Sequence, residues 1–331
     1  MLRRTFSSLV NRNYRWYFLG SAVSVSGTWM QRVAQDWLVL QLSHSGVALG
    51  VASSLQFAPV LVIGAWGGAV VDRVDRRRLL LVTQAASGLL AAVLGAVTAA
   101  GVVTLWMVYA LTLALGVVTV FDSPARQTFV AEMVGTEQVV NAQSLYSSVH
   151  NGGRLVGPAL AGIVIAWLGV AAAFALNALS FIAMIIALAT MRVGALIRTP
   201  PSARGPGQVR EGLGYLWHHR ELRACLVLVG VVGVFGQNFR VVLPMLAQET
   251  FRGGAQTYGH LTAALGLGAV VGALASAAIG RTSAHGLRWT CLAFGAVNLL
   301  AAAAPALTVA LLVLAGLGVA NIVFNTVART L

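Results

Sequence analysis

The chain has 331 residues, of which 58% are hydrophobic and only 9% charged, with a formal net charge of +13. Soluble domains carry about 25% charged residues to hydrate their surface, so a water-soluble globular protein is excluded and lipid must cover this chain. Nucleic-acid binding is excluded too: all 22 basic residues are arginine and most of them fall between apolar runs, not on a solvated face.

The first fifteen residues are polar and basic and carry no cleavage signature, so the first apolar run is expected to stay as a membrane anchor. About 20 apolar residues cross ~30 Å of hydrocarbon. Ten candidate spans follow, at 14–42, 47–71, 79–100, 105–121, 144–168, 170–191, 224–246, 258–279, 289–304 and 306–328. They must be helices, because each run has to satisfy its own backbone hydrogen bonds in lipid and none alternates like a barrel strand. Eighteen arginines fall at the chain ends and in even-numbered loops, while the odd-numbered loops hold only Arg252. Positive loops stay in the cytoplasm, so both ends of the chain are expected there.

The first span carries an unusual polar patch of Gln31, Arg32, Gln35 and Asp36. Arg32 and Asp36 share a face at i and i+4, and Asp36 is the one acid expected inside the hydrocarbon, which makes it the candidate proton carrier, with Arg32 beside it. A structural ion pair near the outer interface explains the same residues. Arg240 in the seventh span is the corresponding intruder from the second half, placed to line the same cavity.

Where the second span meets its arginine-rich loop the sequence reads GAVVDRVDRR, with Gly68, Asp72, Arg73, Arg76 and Arg77. This resembles the signature loop of the major facilitator superfamily, Gly-x-x-x-Asp-Arg-x-x-Arg-Arg between spans two and three. The resemblance implies a conformational gate in which Gly68 permits close helix approach and Asp72 caps a helix or pairs with an arginine across a moving interface. Positive-inside charge alone accounts for Arg76 to Arg78 but not for Asp72 or the glycine spacing. Asp122 and Arg126 end the fourth span, and by the same resemblance Asp122 joins that charge network.

In the fifth span, NGGRLVGPALAG places Gly153, Gly157, Pro158 and Gly162 in a pattern similar to the Gly-x-x-x-Gly-Pro-x-x-Gly-Gly motif of facilitator-type antiporters, with Ala161 replacing one glycine. Small residues let helices touch and the proline bends the span, although small-residue packing in any glycine-rich membrane protein yields the same glycines. Arg154 within it, with His150 one turn earlier, either faces a cavity or snorkels to the cytoplasmic interface. The stretch from Asp122 through this motif resembles the enterobactin (siderophore) and multidrug exporter branch of the superfamily.

Residues 192–223 hold Pro200, Pro201, Pro206 and six arginines and read as a cytoplasmic linker, ending in an amphipathic stretch at 209–223 suited to a membrane surface. It separates a six-span bundle, 1–191, from an incomplete second bundle, 224–331. The two sides look repeated: FDSPAR ending at Arg126 is echoed by FNTVAR ending at Arg329, an offset of 203. A full second half on that register needs two further spans, so a C-terminally truncated chain is expected.

The expected fold class is therefore an all-α membrane protein, a major facilitator-type helical bundle of six spans plus four. The expected function is proton-coupled export of a small amphipathic molecule, drug or siderophore-like, across a bacterial inner membrane by alternating access. The expected partners are the lipid bilayer, that substrate and protons, with no nucleic acid, cofactor or metal. A non-transporting or inactive membrane fragment is the alternative. An intramembrane enzyme fits less well, because the spans hold no His-Glu-x-x-His, paired-aspartate or Ser-His arrangement. Cys225 and Cys291 have no partner spacing and read as small core residues.

Overall fold

The structure is a computed structural model that describes residues 6–197, 227–277 and 284–330, those at 276, 277, 284, 285, 329 and 330 by backbone alone. The linker beyond residue 197, its amphipathic stretch, Cys225, Arg3, Arg4 and Arg281 lie outside the described residues.

Every long apolar run is helical. The first half comprises α1 (Arg12–Ser43), α2 (Gly46–Val71), α3 (Arg76–Ala99), α4 (Leu105–Val134), α5 (Val139–Leu168) and α6 (Val170–Ala189). Its boundaries are set by side-chain caps. Asn11, Ser45, Asp75 and Thr104 each accept a backbone N–H at the start of α1, α2, α3 and α4, removing donors that lipid could not satisfy. After residue 226 come α7, whose regular part is Phe239–Met245, then α8 (Ala255–Ala277), α9 (Ala284–Ala302) and α10 (Leu307–Thr330). Eight helices among the described residues are long and apolar enough to cross a membrane. The other two of the ten expected spans are α1 and α9. The 32 residues of α1 reach ~48 Å, but the helix carries the polar patch; the apolar part of α9 is short, Gly286–Ala302.

The seventh span departs from the single helix expected there. Within Val227–Thr250 the ladder loosens to π-type turns at Val232–Gly236 and Leu246–Thr250, and it breaks at Gln237 and Asn238. Pro244 has no N–H to donate, and Gly233 and Gly236 do little to hold a helix. The Asn238 side chain donates to the Val234 carbonyl at 2.6 Å, satisfying one acceptor that the break exposes.

Helix α5 is the joint of the molecule. Its Gly153 and Gly157 lie against α1, where a Cβ on Gly157 would fall on Trp29 Cβ and 2.7 Å from the Ser26 carbonyl oxygen. Farther along, α5 lies against α8: a Cβ on Gly259 would stand 2.8 Å from Gly162 Cα, and one on Gly266 2.7 Å from the Arg154 carbonyl oxygen. The motif read from sequence thus serves two interfaces, one inside the first half and one between halves. Gly157→Ala is expected to destabilise the protein by about 1–3 kcal/mol, because α1 has to shift. Gly152→Ala, with nothing within 4 Å of its added carbon, should be neutral or stabilise by up to ~1 kcal/mol through helix propensity. Thermal unfolding of the two variants in detergent checks the contrast.

Two buried clusters hold the bundle. One lies inside the first half at the arginine-rich end, around Tyr14, Tyr17, Phe129, Met133 and Met184. The other joins the halves, bringing Trp37, Leu38 and Leu49 together with Leu243, Tyr258 and Phe324. Exposed Trp106 and Trp167 stand at helix ends away from the arginine-rich loops, where an interfacial indole is favoured.

Candidate functional site: an inter-half lock and a central cavity

Asp36 sits on α1 at 1% exposure, and its partner is Arg240, not Arg32. The i, i+4 spacing suggested the intrahelical pair; the second half supplies a better one. Arg240 Nη2 donates to Asp36 Oδ1 at 2.6 Å and Nε donates to Oδ2 at 3.1 Å, a bidentate fork, while Nη1 donates to Gln56 Oε1 at 2.6 Å. The Tyr258 hydroxyl donates to Asp36 Oδ2 at 3.1 Å and its ring stacks on Trp37. The ion pair thereby ties α1, through Asp36, and α2, through Gln56, to α7 and α8 of the second half. The unwound residues just before Arg240 are what let its backbone turn toward α1.

Asp36 and Arg240 are 204 positions apart, and so are His44 and Gln248, whose Nδ1 and Nε2 lie 3.4 Å apart at the ends of α1 and α7. Contacts between residues offset by one repeat length are what a two-fold axis between two copies requires. The offset agrees with the 203 read from the FDSPAR and FNTVAR segments to within one residue.

Against the lock lies a cavity of about 800 Å³, lined from both halves by Trp29, Arg32, Ser53, Phe57, Arg154, Gln237, Asn238, Arg240, Tyr258, Thr262 and Asn321 among others. Its size suits a drug-sized molecule. Arg32, Arg154 and Arg240 all face it, while Asp36 lies behind Arg240 and Gln35 is buried off the cavity with its Nε2 unpartnered. Gln31 accepts a hydrogen bond from Asn177 at 2.5 Å, a packing role within the first half. A smaller cavity of about 170 Å³ inside the first half is lined by Thr28, Gln84, Asp122, Arg126, Tyr146 and His150, and it shares Trp29 and Arg32 with the large one.

The signature-loop residues gather at the opposite end. Arg76 lies 3.8 Å from Asp72 and pairs with Glu132 on α4. Arg77 Nε and Nη2 donate to the carbonyls of Leu188 and Ala189 at the end of α6, at 2.7 and 3.0 Å. The partners seen are thus all within the first half. Arg73 makes none of these contacts, and at Gly67, beside Gly68, a Cβ would stand 3.0 Å from the Val120 carbonyl oxygen. Asp122 forms a separate node: it accepts from Arg126 Nε at 2.6 Å, Thr83 Oγ1 at 2.7 Å and Gln84 Nε2 at 2.6 Å, so it stands apart from the Asp72 cluster that it was expected to join.

Glu132, Gln56, Tyr258, Trp29, Gln237 and Asn238 were not singled out from sequence. Signals existed for some of them: Gln56 is a polar residue within an apolar span, and the Gly-x-x-Gly-x-x-Gly run ending in Gln237 and Asn238 marks a weak helix.

Ten helices among the described residues, eight of them long and apolar enough to cross a membrane, in two sets that meet over a shared cavity, define a multi-pass membrane protein of the major facilitator class. The chain belongs to that superfamily's transmembrane secretion effector family, which it matches over residues 3–330. It is 24% identical to the staphyloferrin A transporter of Staphylococcus aureus over 78% of this chain and 66% of that protein. It is 29% identical to the multidrug efflux pump Tap of Mycolicibacterium fortuitum over 77% and 64%, and 26% identical to the enterobactin exporter EntS of Salmonella paratyphi A over 83% and 66%. The chain thus spans no more than 66% of the length of these curated relatives. Among solved structures, a bacterial homologue of the lysosomal transporter Spinster superposes with a TM-score of 0.68 at 13% identity, covering 96% of this chain and 74% of that one. A bacterial homologue of ferroportin gives 0.66 at 15% identity, covering 97% and 84%.

Proposed function

We propose that the chain forms the transport body of a bacterial plasma-membrane exporter that moves a small amphipathic molecule by alternating access in exchange for protons. The observation that carries this reading is the Asp36–Arg240 lock, a buried ion pair between halves that closes one end of a cavity sized for such a molecule. On the topology that the arginines imply, with the N-terminus cytoplasmic, the lock faces outward and the cavity is the inward-open state. Residues 1–191 and 224–331 act as the two rocking bundles joined by 192–223.

Asp36 supplies the coupling. Deprotonated, it holds both donors of the Arg240 fork; protonated, it loses its charge and half of its acceptor capacity, so the outer end is freed. A proton arriving from outside therefore favours opening outward, and its loss favours closing. At the cytoplasmic end, Gly68, Asp72, Arg73, Arg76 and Arg77 form the opposing gate, with Asp122 and Arg126 bracing α4 beside it. The relatives named for drug efflux and siderophore transport support export as the direction.

The test is dye uptake into inverted vesicles, whose lumen corresponds to the cell exterior, with and without an imposed acid-inside pH gradient. The protein should concentrate a substrate dye only when the gradient is present. Asp36→Asn should abolish that dependence, whereas gradient-independent movement equal in both proteins would remove the proton role.

A further inference from the structure

The central cavity carries more positive charge than its lock neutralises. Arg240 is matched by Asp36, but Arg32 and Arg154, which face the same space, have no carboxylate within ion-pair distance among the described residues. The Nε of Arg32 is buried without any hydrogen-bond partner. Both guanidinium groups rest on one indole, at 4.4 Å for Arg32 and 5.3 Å for Arg154 from the Trp29 ring centre, so the two heads are held near each other and aimed into the cavity. An indole face offsets only part of a cation's lost hydration, and two like charges gathered at membrane depth are costly unless an anion meets them. The opposite wall is apolar, with Phe57, Leu61, Phe239 and Leu243.

We propose that this cavity selects amphipathic organic anions. Arg32 and Arg154 clamp a carboxylate, sulfonate or phosphate group above Trp29, while the apolar body lies against Phe57 and Phe239. A planar guanidinium fork matches such oxyanions in a way a point charge does not. This reading rests on the transport function and narrows its substrate; Arg240 stays with Asp36 and is not part of the clamp.

Two xanthene dyes of similar size and opposite charge, fluorescein and rhodamine 6G, test it. Binding to the purified full chain is followed by fluorescence polarisation, and movement by reconstituted vesicles. Fluorescein should bind, and Arg32→Gln or Arg154→Gln should each weaken it about 10-fold, since each removes one charge-assisted contact. Arg32→Lys and Arg154→Lys, which keep the charge and lose the fork, should weaken it less than the glutamine variants, and rhodamine 6G should not be weakened by any of the four. On the unmodified protein, naphthalene-2-sulfonate should displace fluorescein at a concentration at least about 10-fold below that of the neutral 2-naphthalenemethanol. Preference for rhodamine 6G, equal loss of both dyes in the glutamine variants, or equal displacement by the two naphthalenes overturns the anion site. Arginine-dependent fluorescein binding without movement of either dye would leave the anion site standing and remove the transport reading. Movement of rhodamine 6G alone would do the reverse.

Discussion

Bridging His44→Cys to Gln248→Cys with a short bis-methanethiosulfonate reagent, with Cys225 and Cys291 replaced by serine, should arrest transport almost completely, and dithiothreitol should restore it. The native side chains meet at their ring and amide nitrogens, 3.4 Å apart, and a spacer replaces the length that both side chains lose on substitution by cysteine. The bridge spans the ends of α1 and α7 just beyond the lock, and alternating access requires those ends to part. Unimpaired transport by the bridged protein would show that the closed end never opens during the cycle. The cysteine variant before bridging serves as the control, because the contact it loses is exposed and weak.

The second large effect is expected at the lock itself. Asp36→Ala leaves the part-buried Arg240, 23% exposed to the cavity, without a counter-charge, and breaking one side of such a pair costs up to about 3 kcal/mol. That cost falls on the state in which the halves are closed on Asp36, so the population should shift toward opening by as much as about 100-fold. Ser54→Cys, on the cavity wall, reports the shift: a membrane-impermeant maleimide added outside should label it far faster when Asp36 is alanine. The exchange Asp36→Arg with Arg240→Asp should restore slow labelling, since it reverses the pair while keeping it. Equal labelling rates in all three backgrounds would mean that the pair is structural mortar and holds no gate.

Much of this was readable before the fold was known, and the boundary is instructive. The helices were legible because lipid imposes length and apolarity on each run separately, and the arginine alternation is likewise a property of single loops. Asp36 and Arg240 were each conspicuous as charges inside apolar spans. Their pairing was not, because rules of local spacing reach only one helical turn, and they pointed Asp36 to Arg32 when the true partner lies 204 residues away. The repeat offset held the missing information: Asp36 plus one repeat length lands beside Arg240, and helices next to a two-fold axis meet their own copies. The break in α7 went unseen for a different reason. Hydropathy records side chains, whereas Gln237 and Asn238 matter for the backbone they release, and non-helical backbone at membrane depth is tolerated where it lines a cavity. Glu132 looked like an ordinary loop-side acid until the fold carried Arg76 to it.

Trp29 separates the two cavities and belongs to both. On one side lie the large cavity and Arg154; on the other lie Asp122, Arg126 and His150, with the buried His150 Nδ1 unpartnered. Trp29 and Arg32 line both spaces, the indole carries two stacked cations, and rings turn far faster than bundles rock. A cargo anion that draws Arg32 and Arg154 off the indole would loosen that ring first. On the proposed transport function, Trp29 is then the joint through which an anion held in the large cavity is felt in the small one.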